Sequence, residues 1–406
     1  MSNKKSASQK LRFAEFANRG EVIFENGDAL FEAISDKDHN SDLPVLAITQ
    51  EQGAIPREMI DYHVFVTDRS LESYKKVEVG DFIISLRSFQ GGIEYSSYQG
   101  ICSPAYIILR KKENVVNEYY KHYFKSQRFI RDLNRNLEGI RDGKMVSFDQ
   151  FSQILIPKPD TDEQKKIADC IESLDDLICA ENNRLNAMQK HKAGLMQKFF
   201  PSSEESLPEL RFKEFADIKI AFKSGYELFD SISNKDHKCN LPILAISQEH
   251  GAVPREKIDY NVFVSDKSLE SYKVVEIGDF IISLRSFQGG IEYSVYRGIC
   301  SPAYIILRKK IDMYDQYFKY YFKTKKFIAD LNKNLEGIRD GKMVSYSQFS
   351  ELVLPVPDKK EQQKIADCLC SVDELINTQA TKIEELRNHK NGLLQQLFPS
   401  FEEVIK

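Results

Sequence analysis

The sequence predicts an α+β protein with two similar globular domains, each followed by a long helix. An internal duplication supports the first part: Leu43 recurs as Leu241, 198 positions later, and 56 of the 68 residues in 43–110 return unchanged in 241–308. Apolar residues at heptad spacing support the second part, because two such runs follow the globular segments. We expect globular domains over 1–158 and 201–356, and helices over 159–200 and 357–400.

The composition is that of an ordinary globular chain. Of the 406 residues, 42% are hydrophobic and 29% are charged, which excludes wholesale disorder. The seven cysteines are scattered without a Cys-x-x-Cys pair, so neither a disulfide framework nor a metal site is expected. No apolar run approaches the roughly 20 residues of a membrane helix, and the first residues lack the apolar core of a signal peptide. We therefore expect a cytoplasmic protein with no membrane contact.

Each globular segment combines short strands with a helical stretch. In the first copy, apolar runs bounded by Gly, Pro or Asp predict strands at 43–49, 82–86 and 105–109. A helical pattern then extends from about Val116 to Leu137, and a last strand is expected at 153–156. Antiparallel-looking strands mixed with helix are typical of the α+β class.

The long helices begin at matching phrases and carry an apolar seam. Asp160 with Glu163, and Asp358 with Glu361, have the spacing of an N-cap and an acidic third residue. The seam steps by four and three residues and is interrupted by polar side chains. Its expected members are Ile167, Ile171, Leu174, Glu181, Leu185, Ile365, Leu369, Val372, Gln379 and Ile383.

The seam predicts that the two helices pair antiparallel as a coiled coil. Glu181 and Gln379 are the midpoints of residues 163–199 and 361–397, so antiparallel pairing in register would bring them face to face. The other interruptions, Lys192 and Lys390, have no evident partner, and we expect them to extend to solvent. The alternative is that each helix packs on its own domain. An antiparallel pair of equal modules is pseudo-twofold symmetric, which suits a ligand with its own twofold, such as duplex DNA.

Two basic segments are candidate DNA contacts in a chain whose net charge is −4. Residues 121–147 carry seven Lys or Arg against three acids, and residues 319–345 repeat that balance. Each segment contains a loop with two glycines and two cations, one between the glycines and one directly after the second, where phosphate contacts are expected. The cations are Arg141, Lys144, Arg339 and Lys342. The alternative is an ordinary solvent-exposed helix face.

A second candidate follows a predicted strand. The segment Leu86–Gly92 returns unchanged at Leu284–Gly290. Arg can bind guanine through two hydrogen bonds and Gln can bind adenine in the same way. Base contacts are therefore expected from Arg87, Ser88, Gln90, Arg285, Ser286 and Gln288. The alternative is a tight turn with an exposed arginine.

No catalytic motif is present. The sequence lacks the phosphate-binding loop of nucleotide hydrolases, a methyltransferase signature, a Gly-x-Ser-x-Gly elbow and a His-Glu-x-x-His zinc motif. A nuclease-like fragment at 159–165 has its acids too close in sequence for such a site, and Lys165 is replaced by Gln363 in the second copy. We expect this fragment to be a helix cap and assign no catalytic residue.

The chain resembles the specificity subunit of type I restriction–modification systems. The entry phrase Pro-x-Pro-Asp…Glu-Gln-x-Lys-Ile-Ala at 157–168 and 355–366 carries part of this resemblance. The helix ends at 192–201 and 390–399, and the openings at 11–16 and 210–215, carry the rest. The resemblance covers essentially the whole chain.

The resemblance implies a subunit without catalytic activity and without a cofactor of its own. Two target-recognition domains would each bind one half of a split double-stranded DNA site, with the helices setting the distance between them. Two modification subunits with S-adenosylmethionine would methylate adenine, and two restriction subunits with ATP and magnesium would cleave. Because the domains are close copies, we expect an interrupted, near-palindromic target. A scaffold without DNA contacts, a nuclease, and a specificity subunit of a related methyltransferase type are the alternatives.

Overall fold

A computed structural model describes most of the chain in two compact units. The described residues are 6–7, 10–39, 42–60, 71–135, 146–202, 207–237, 241–248, 250–258, 269–333 and 344–399. The first unit comprises residues 1–182 and 381–406, and the second unit comprises residues 183–380. Each unit therefore holds one globular domain together with parts of both long helices.

The described elements of the first unit are short, except for the helix that leaves it. The strands are β1 Ser6–Ala7, β2 Val22–Asn26, β3 Phe31–Ile34, β4 Leu46–Thr49, β5 Gly53–Pro56, β6 Lys75–Val77, β7 Phe82–Ile84, β8 Glu94–Tyr95, β9 Gly100–Cys102, β10 Ile107–Lys111 and β11 Leu155–Lys158. The helices are α1 Gly27–Leu30, α2 Ser88–Gly91, α3 Asn117–Tyr123, α4 Gln127–Arg135, α5 Phe148–Ser152 and α6 Thr161–Phe199.

The second unit repeats this plan. Its strands are β12 Ala221–Ser224, β13 Phe229–Ile232, β14 Leu244–Ser247, β15 Gly251–Pro254, β16 Lys273–Val275, β17 Phe280–Ile282, β18 Glu292–Tyr293, β19 Gly298–Cys300, β20 Ile305–Lys309 and β21 Val353–Val356. Its helices are α7 Gly225–Leu228, α8 Ser286–Gly289, α9 Asp315–Tyr321, α10 Lys325–Lys333, α11 Tyr346–Ser350 and α12 Lys359–Leu397.

The named strands pair antiparallel in both units. A four-stranded sheet has the order β3-β10-β7-β8 in the first unit and β13-β20-β17-β18 in the second. β10 is central, and Ile108 lies opposite both Ile34 and Ile83. The strand before each long helix pairs with an early strand of its domain, β11 with β2 and β21 with β12. This mixture of antiparallel strands and helices confirms the predicted α+β class.

The predicted helical stretch after β10 is wrong in one respect, because it forms two helices. The first helix, α3, ends at Tyr123, and the second, α4, begins at Gln127. Ser126 lies at the break, where its hydroxyl accepts a hydrogen bond of 3.2 Å from the N–H of Phe129. A serine at this position caps the second helix and competes with a continuous one.

Aromatic side chains fill the core of the first unit and hold α3 against the sheet. The ring of Phe31 packs edge-on against Phe82 at 5.5 Å and against Tyr120 at 5.3 Å between centroids. Phe124 packs against Phe82 at 5.1 Å. Such edge-to-face pairs add specific geometry to the burial of large apolar surfaces. These contacts fix where the chain lies as it leaves α3.

Within each unit, segments of α6 and α12 run antiparallel. In the first unit, Glu181 accepts a hydrogen bond of 2.5 Å from Lys382, and the lower-numbered Asp175 pairs with the higher-numbered Lys390. In the second unit, Lys192 lies 2.5 Å from Asp373. The alternative arrangement, in which a helix packs on its own domain, holds for only part of each helix.

The end of each long helix packs on the other copy's globular domain. In the first unit, Phe398 lies 5.2 Å from the ring of Tyr119. In the second unit, Phe200 lies 5.2 Å from the ring of Tyr317. The globular domain of each unit is therefore in contact with the start of the helix that follows it and with the end of the other helix.

The helix starts are fastened to the globular domains by buried polar side chains. Arg12 donates two hydrogen bonds to Glu163, at 2.8 and 2.7 Å, and Arg211 donates two to Glu361, at 2.7 and 2.8 Å. Gln164 accepts a hydrogen bond from the N–H of Val116 at 2.9 Å. The nuclease-like fragment thus lies at a helix start, where its buried acid serves a structural pair.

Candidate nucleic-acid interface

The segment between β7 and β8 presents two polar side chains per unit to solvent. It contains the four-residue helix α2, and its counterpart in the second unit is α8. The side chains of Arg87 and Gln90 are exposed, as are those of Arg285 and Gln288. These four side chains make no hydrogen bond or ion pair with the described parts of the chain, so their donors and acceptors are available to a ligand.

Ser88 and Ser286 lie inside the loop and not on its surface. Each is 1% exposed. The Ser88 hydroxyl accepts a hydrogen bond of 2.9 Å from the N–H of Ser85, and Ser286 does the same for Ser283 at 2.9 Å. These hydroxyls hold the turn in shape, and the candidate base contacts of the loop reduce to its arginine and glutamine.

The backbone of the loop is pinned from two sides. The Gln50 amide donates to the carbonyl of Arg87 at 3.4 Å, and the Asn134 amide on α4 donates to the carbonyl of Phe89 at 2.7 Å. Gly92 closes the loop with φ 82°, a conformation that favours glycine. The loop and α4 therefore form one continuous surface, which we call the α2–α4 surface and, in the second unit, the α8–α10 surface.

The exposed cations differ between the two surfaces. In the first, Arg131 on α4 is exposed and forms no ion pair with any described residue. The equivalent position in the second unit is Ala329, whereas Lys325 replaces Gln127 at the start of the helix. Arg128 is less available, because it lies 3.4 Å from Asp132. The positive charge of the α2–α4 surface is therefore smaller than a count of its Lys and Arg residues predicts.

The predicted phosphate contacts Arg141, Lys144, Arg339 and Lys342 lie outside the described residues. Within the two basic segments, the structure describes residues up to Arg135 and Lys333, the last residues of α4 and α10, and resumes at residues 146 and 344.

The predicted seam residues lie along the long helices with different degrees of burial. The buried ones are Ile167, Ile171, Glu181, Ile365, Leu369, Gln379 and Ile383. The half-buried ones are Leu174, Leu185 and Val372. Glu181 and Gln379 belong to different units, and the contact between them stays a prediction.

Three residues that fasten the loop were not identified from the sequence. They are Gln50, Lys125 and Asn134, and each returns at the equivalent position as Gln248, Lys323 and Asn332. Lys125 lies 2.5 Å from the buried carboxylate of Glu94. Their identity in both copies was a usable signal, but only the fold shows that they converge on one loop.

Two other kinds of site find no support among the residues with described structure. Within these ranges, no group of His, Cys, Asp and Glu side chains is arranged to hold a metal ion. The helices in the same ranges do not combine the length and apolar character needed to cross a membrane.

Two relatives from Methanocaldococcus jannaschii are similar over most of their length. The type I restriction enzyme MjaVIII specificity subunit is 24% identical over 350 residues, 79% of this chain and 79% of the relative. The putative type I restriction enzyme MjaX specificity subunit is 22% identical over 307 residues, 72% of this chain and 69% of the relative.

Solved structures show the same fold. The HsdS subunit from Thermoanaerobacter tengcongensis aligns with a TM-score of 0.50 at 16% identity, over 93% of this chain and 96% of that one. The type I restriction-modification S subunit from M. genitalium aligns with a TM-score of 0.52 at 15% identity, over 97% of this chain and 100% of that one.

The duplication itself coincides with a known domain. Residues 15–190 and 205–388 each match the profile of the type I restriction modification DNA specificity domain. The resemblance noted in the sequence is thereby confirmed, and the chain belongs to the family of type I restriction–modification DNA specificity subunits, a non-catalytic subunit class.

Proposed function

We propose that this specificity subunit directs its complex to a bipartite DNA site whose two halves are the same sequence in inverted orientation. The supporting observation is that the α2–α4 and α8–α10 surfaces present the same exposed pair, Arg87 with Gln90 and Arg285 with Gln288. Because direct readout depends on side-chain type and placement, equal pairs on equal supports select equal base pairs.

The supports of the two loops are equal in geometry as well as in sequence. Asn134 donates to Phe89 at 2.7 Å, and Asn332 donates to Phe287 at 2.7 Å. The closing glycines have φ values of 82° and 79°. Arginine and glutamine side chains that project from such matched frames would meet a DNA major groove in the same way in both units.

The phosphate contacts are proposed to be similar in the two halves. We assign phosphate binding to Arg141, Lys144, Arg339 and Lys342, which follow α4 and α10 in the sequence. Each surface adds one exposed cation at a different position, Arg131 on α4 and Lys325 on α10. Phosphate contacts set affinity and its salt dependence without carrying sequence information. The two half-sites would therefore be bound with similar affinity.

The complex is proposed to contain two modification subunits and, for cleavage, two restriction subunits. S-adenosylmethionine would be bound by the modification subunits, and ATP and magnesium by the restriction subunits. This chain supplies double-stranded DNA recognition and the seam that joins the helices. Each long helix has 39 residues, about 58 Å at 1.5 Å per residue. That length is sufficient for half-sites about one turn of DNA apart, roughly 34–36 Å.

A genome-wide map of adenine methylation tests the proposal. Maps are compared between a host that carries this gene with its partner genes and the same host without this gene alone. We expect one interrupted motif with matching inverted halves to disappear. A lost motif with unrelated halves would contradict the symmetric site, and loss of no motif would contradict the assignment of an active specificity role.

Single-copy substitutions then test the base contacts. Gln90→Ala and Gln288→Ala should each alter the methylated sequence in one half-site and give the same asymmetric motif, because the two halves are equal, and the double variant should alter both halves. Lys190→Ala, an exposed change on α6, serves as the control. An unchanged motif at an unchanged rate in the double variant would refute the assignment of this loop.

A further inference from the structure

A buried carboxylate lies beside the loop that carries the proposed base contacts. Glu94 on β8 is 1% exposed, and its counterpart Glu292 on β18 is 2% exposed. An ionised carboxylate that is buried without a partner is strongly unfavourable, so each needs a cation. The cation is Lys125 in the first unit, with 2.5 Å between Nζ and Oε2, and Lys323 in the second, with 2.5 Å between Nζ and Oε1.

The same ammonium group also holds the loop. Lys125 donates to the carbonyl of Gly91, the last residue of α2, at 3.1 Å, and to the carbonyl of Gln50 at 3.3 Å. Lys323 donates to the carbonyl of Gly289 at 3.0 Å. One side chain thus joins the turn after β4, the helix α2 and the strand β8.

The loop depends on such a tie because it has little internal support. Helix α2 has four residues, which is too short for a stable run of helical hydrogen bonds. The next residue is Gly92, and a Cβ placed there would lie 2.0 Å from the carbonyl oxygen of Phe124, the residue that precedes Lys125. The loop is therefore in close contact with the backbone beside Lys125.

The pKa shifts of the buried glutamates and of Lys323 are those expected for buried groups that face an opposite charge. Burial raises the pKa of Glu94 and of Glu292, and the neighbouring lysines oppose that rise. Burial also lowers the pKa of Lys323, and Glu292 opposes that change. The pair is retained in both copies although nearby surface charges differ, as at Arg131 and Ala329.

We propose that Lys125 and Lys323 are positioning residues for DNA recognition, each of which fixes the loop that presents an arginine and a glutamine to one half-site. This inference rests on the proposed function, because it assumes that Arg87 and Gln90, and their counterparts, contact bases. Neither lysine is assigned a contact with DNA. Their effect is on discrimination between bases and not on attraction to phosphates.

The test uses the full chain assembled with its modification subunits. Lys125→Met is compared with the unmodified chain on duplexes in which one half-site is randomised and the other is kept cognate. Because the two halves have the same sequence, the complex binds in the orientation that places the altered unit on the mismatched half. We expect discrimination against single mismatches in that half to fall at least about fivefold, the lower end of the discrimination that a base contact provides. Duplexes with a mismatch in both halves should still be rejected by the unaltered second unit, which makes them an internal control.

Lys158→Met is the matched control. Lys158 on β11 pairs with the half-buried Glu25 at 3.1 Å, lies outside the basic segments, and makes no contact with the loop in the described structure. We expect this variant to keep the discrimination of the unmodified chain in both half-sites. An equal loss in Lys158→Met and Lys125→Met would overturn the proposal, because the effect would then be a general result of removing a lysine near the sheet.

Two more variants separate positioning from simple charge balance. Lys125→Arg keeps a cation and should recover most of the discrimination. The double variant Glu94→Gln with Lys125→Met removes both charges, so we expect it to fold. It still lacks the donor to the Gly91 carbonyl, so its discrimination between bases should stay as low as that of Lys125→Met. If the double variant discriminates like the unmodified chain, Lys125 only neutralises Glu94 and the proposal is wrong.

Failure of the proposed function would look different. If Arg87→Ala and Gln90→Ala leave the first half-site unchanged, the loop does not contact bases, whatever Lys125 does. If those substitutions change the half-site and Lys125→Met does not, the base contacts stand and the positioning role alone is refuted.

Discussion

Lys390 near the end of α12 forms an ion pair with Asp175 of α6 in the first unit. The second unit repeats the contact, with Lys192 of α6 2.5 Å from Asp373 of α12. The expectation that these lysines extend to solvent is wrong, because each finds an aspartate on the neighbouring helix. A charge pair within an apolar seam penalises other registers, since a shift by one heptad would leave both charges unpaired.

Loss of one of these pairs should weaken one unit. Lys192→Met is expected to lower the free energy of unfolding by about 1 kcal/mol, the upper range for a partly exposed ion pair. Urea unfolding of the whole chain measures this. Lys190→Met, an exposed change two residues away, should have no effect, and an equal loss in both variants would contradict the role of the pair.

The first unit should lose stability in mild acid through His122. Burial lowers the pKa of His122 to about 4, with Lys390 and Lys121 acting in the same direction and Asp175 against them. The usual unfolded value is about 6.5. The neutral form is therefore favoured by folding, so that stability is complete above about pH 6.5 and falls as the pH approaches 4. The loss by pH 5 should be on the order of 2 kcal/mol.

The second unit offers the variant that tests this. Tyr320 occupies the position equivalent to His122, and its hydroxyl donates to Asp373 at 2.8 Å. His122→Tyr should remove the acid sensitivity, because Asp175 is available to the new hydroxyl in the same way. Unfolding in urea at pH 7.5 and pH 5 is compared for both chains. The control His191→Tyr changes an exposed residue and should keep the acid sensitivity. If the acid sensitivity also persists in His122→Tyr, His122 is not its source.

The buried carboxylate of Glu163 makes Arg12 important for stability. Its side chain is fully buried and accepts both hydrogen bonds from Arg12. Arg12→Ala should cost about 3 kcal/mol, because an uncompensated charge would remain buried. Arg19→Ala is the control, since its pair with Asp160 is exposed and 3.6 Å long. In thermal unfolding, the melting temperature should fall by a large amount for Arg12→Ala and by a small amount for Arg19→Ala. Equal decreases in melting temperature would refute this explanation.

Two glycine substitutions should change the free energy of unfolding in opposite directions. Gly92→Ala places a Cβ 2.0 Å from the Phe124 carbonyl oxygen in a backbone conformation with φ 82°, and should cost at least about 2 kcal/mol. Gly194→Ala lies within α6, where a Cβ meets nothing within 4 Å of the described structure. It should gain about 0.5–1 kcal/mol from the better helix propensity of alanine. Circular dichroism during heating measures both, and a stabilised Gly92→Ala would contradict the geometry of the loop.

Features that depend on residues close in sequence were predictable. The duplication, the short strands and the helix starts at residues 161 and 359 follow from repeated phrases, apolar runs and caps. The break at Ser126 was missed because the apolar pattern continues across it, and only the cap hydrogen bond distinguishes two helices from one.

The candidate interface was predictable in part. The exposed arginine and glutamine of the loop follow from its sequence, whereas the burial of Ser88 depends on its hydrogen bond to Ser85. The partners of Lys125 and Lys390 lie 31 and 215 residues away. Contacts of that sequence separation depend on how strands and helices meet, which periodicity does not specify.

The division of the chain into one continuous and one split unit has a consequence for the order of folding. The second unit uses residues 183–380 alone, whereas the first also needs residues 381–406. During synthesis from the N-terminus, the globular domain of the first unit therefore waits for a segment made after the second unit, and the apolar surface around Tyr119 that receives Phe398 stays uncovered in the meantime. The later unit can be complete before the earlier one, so the nascent chain is most prone to aggregation through its first domain until synthesis of α12 ends.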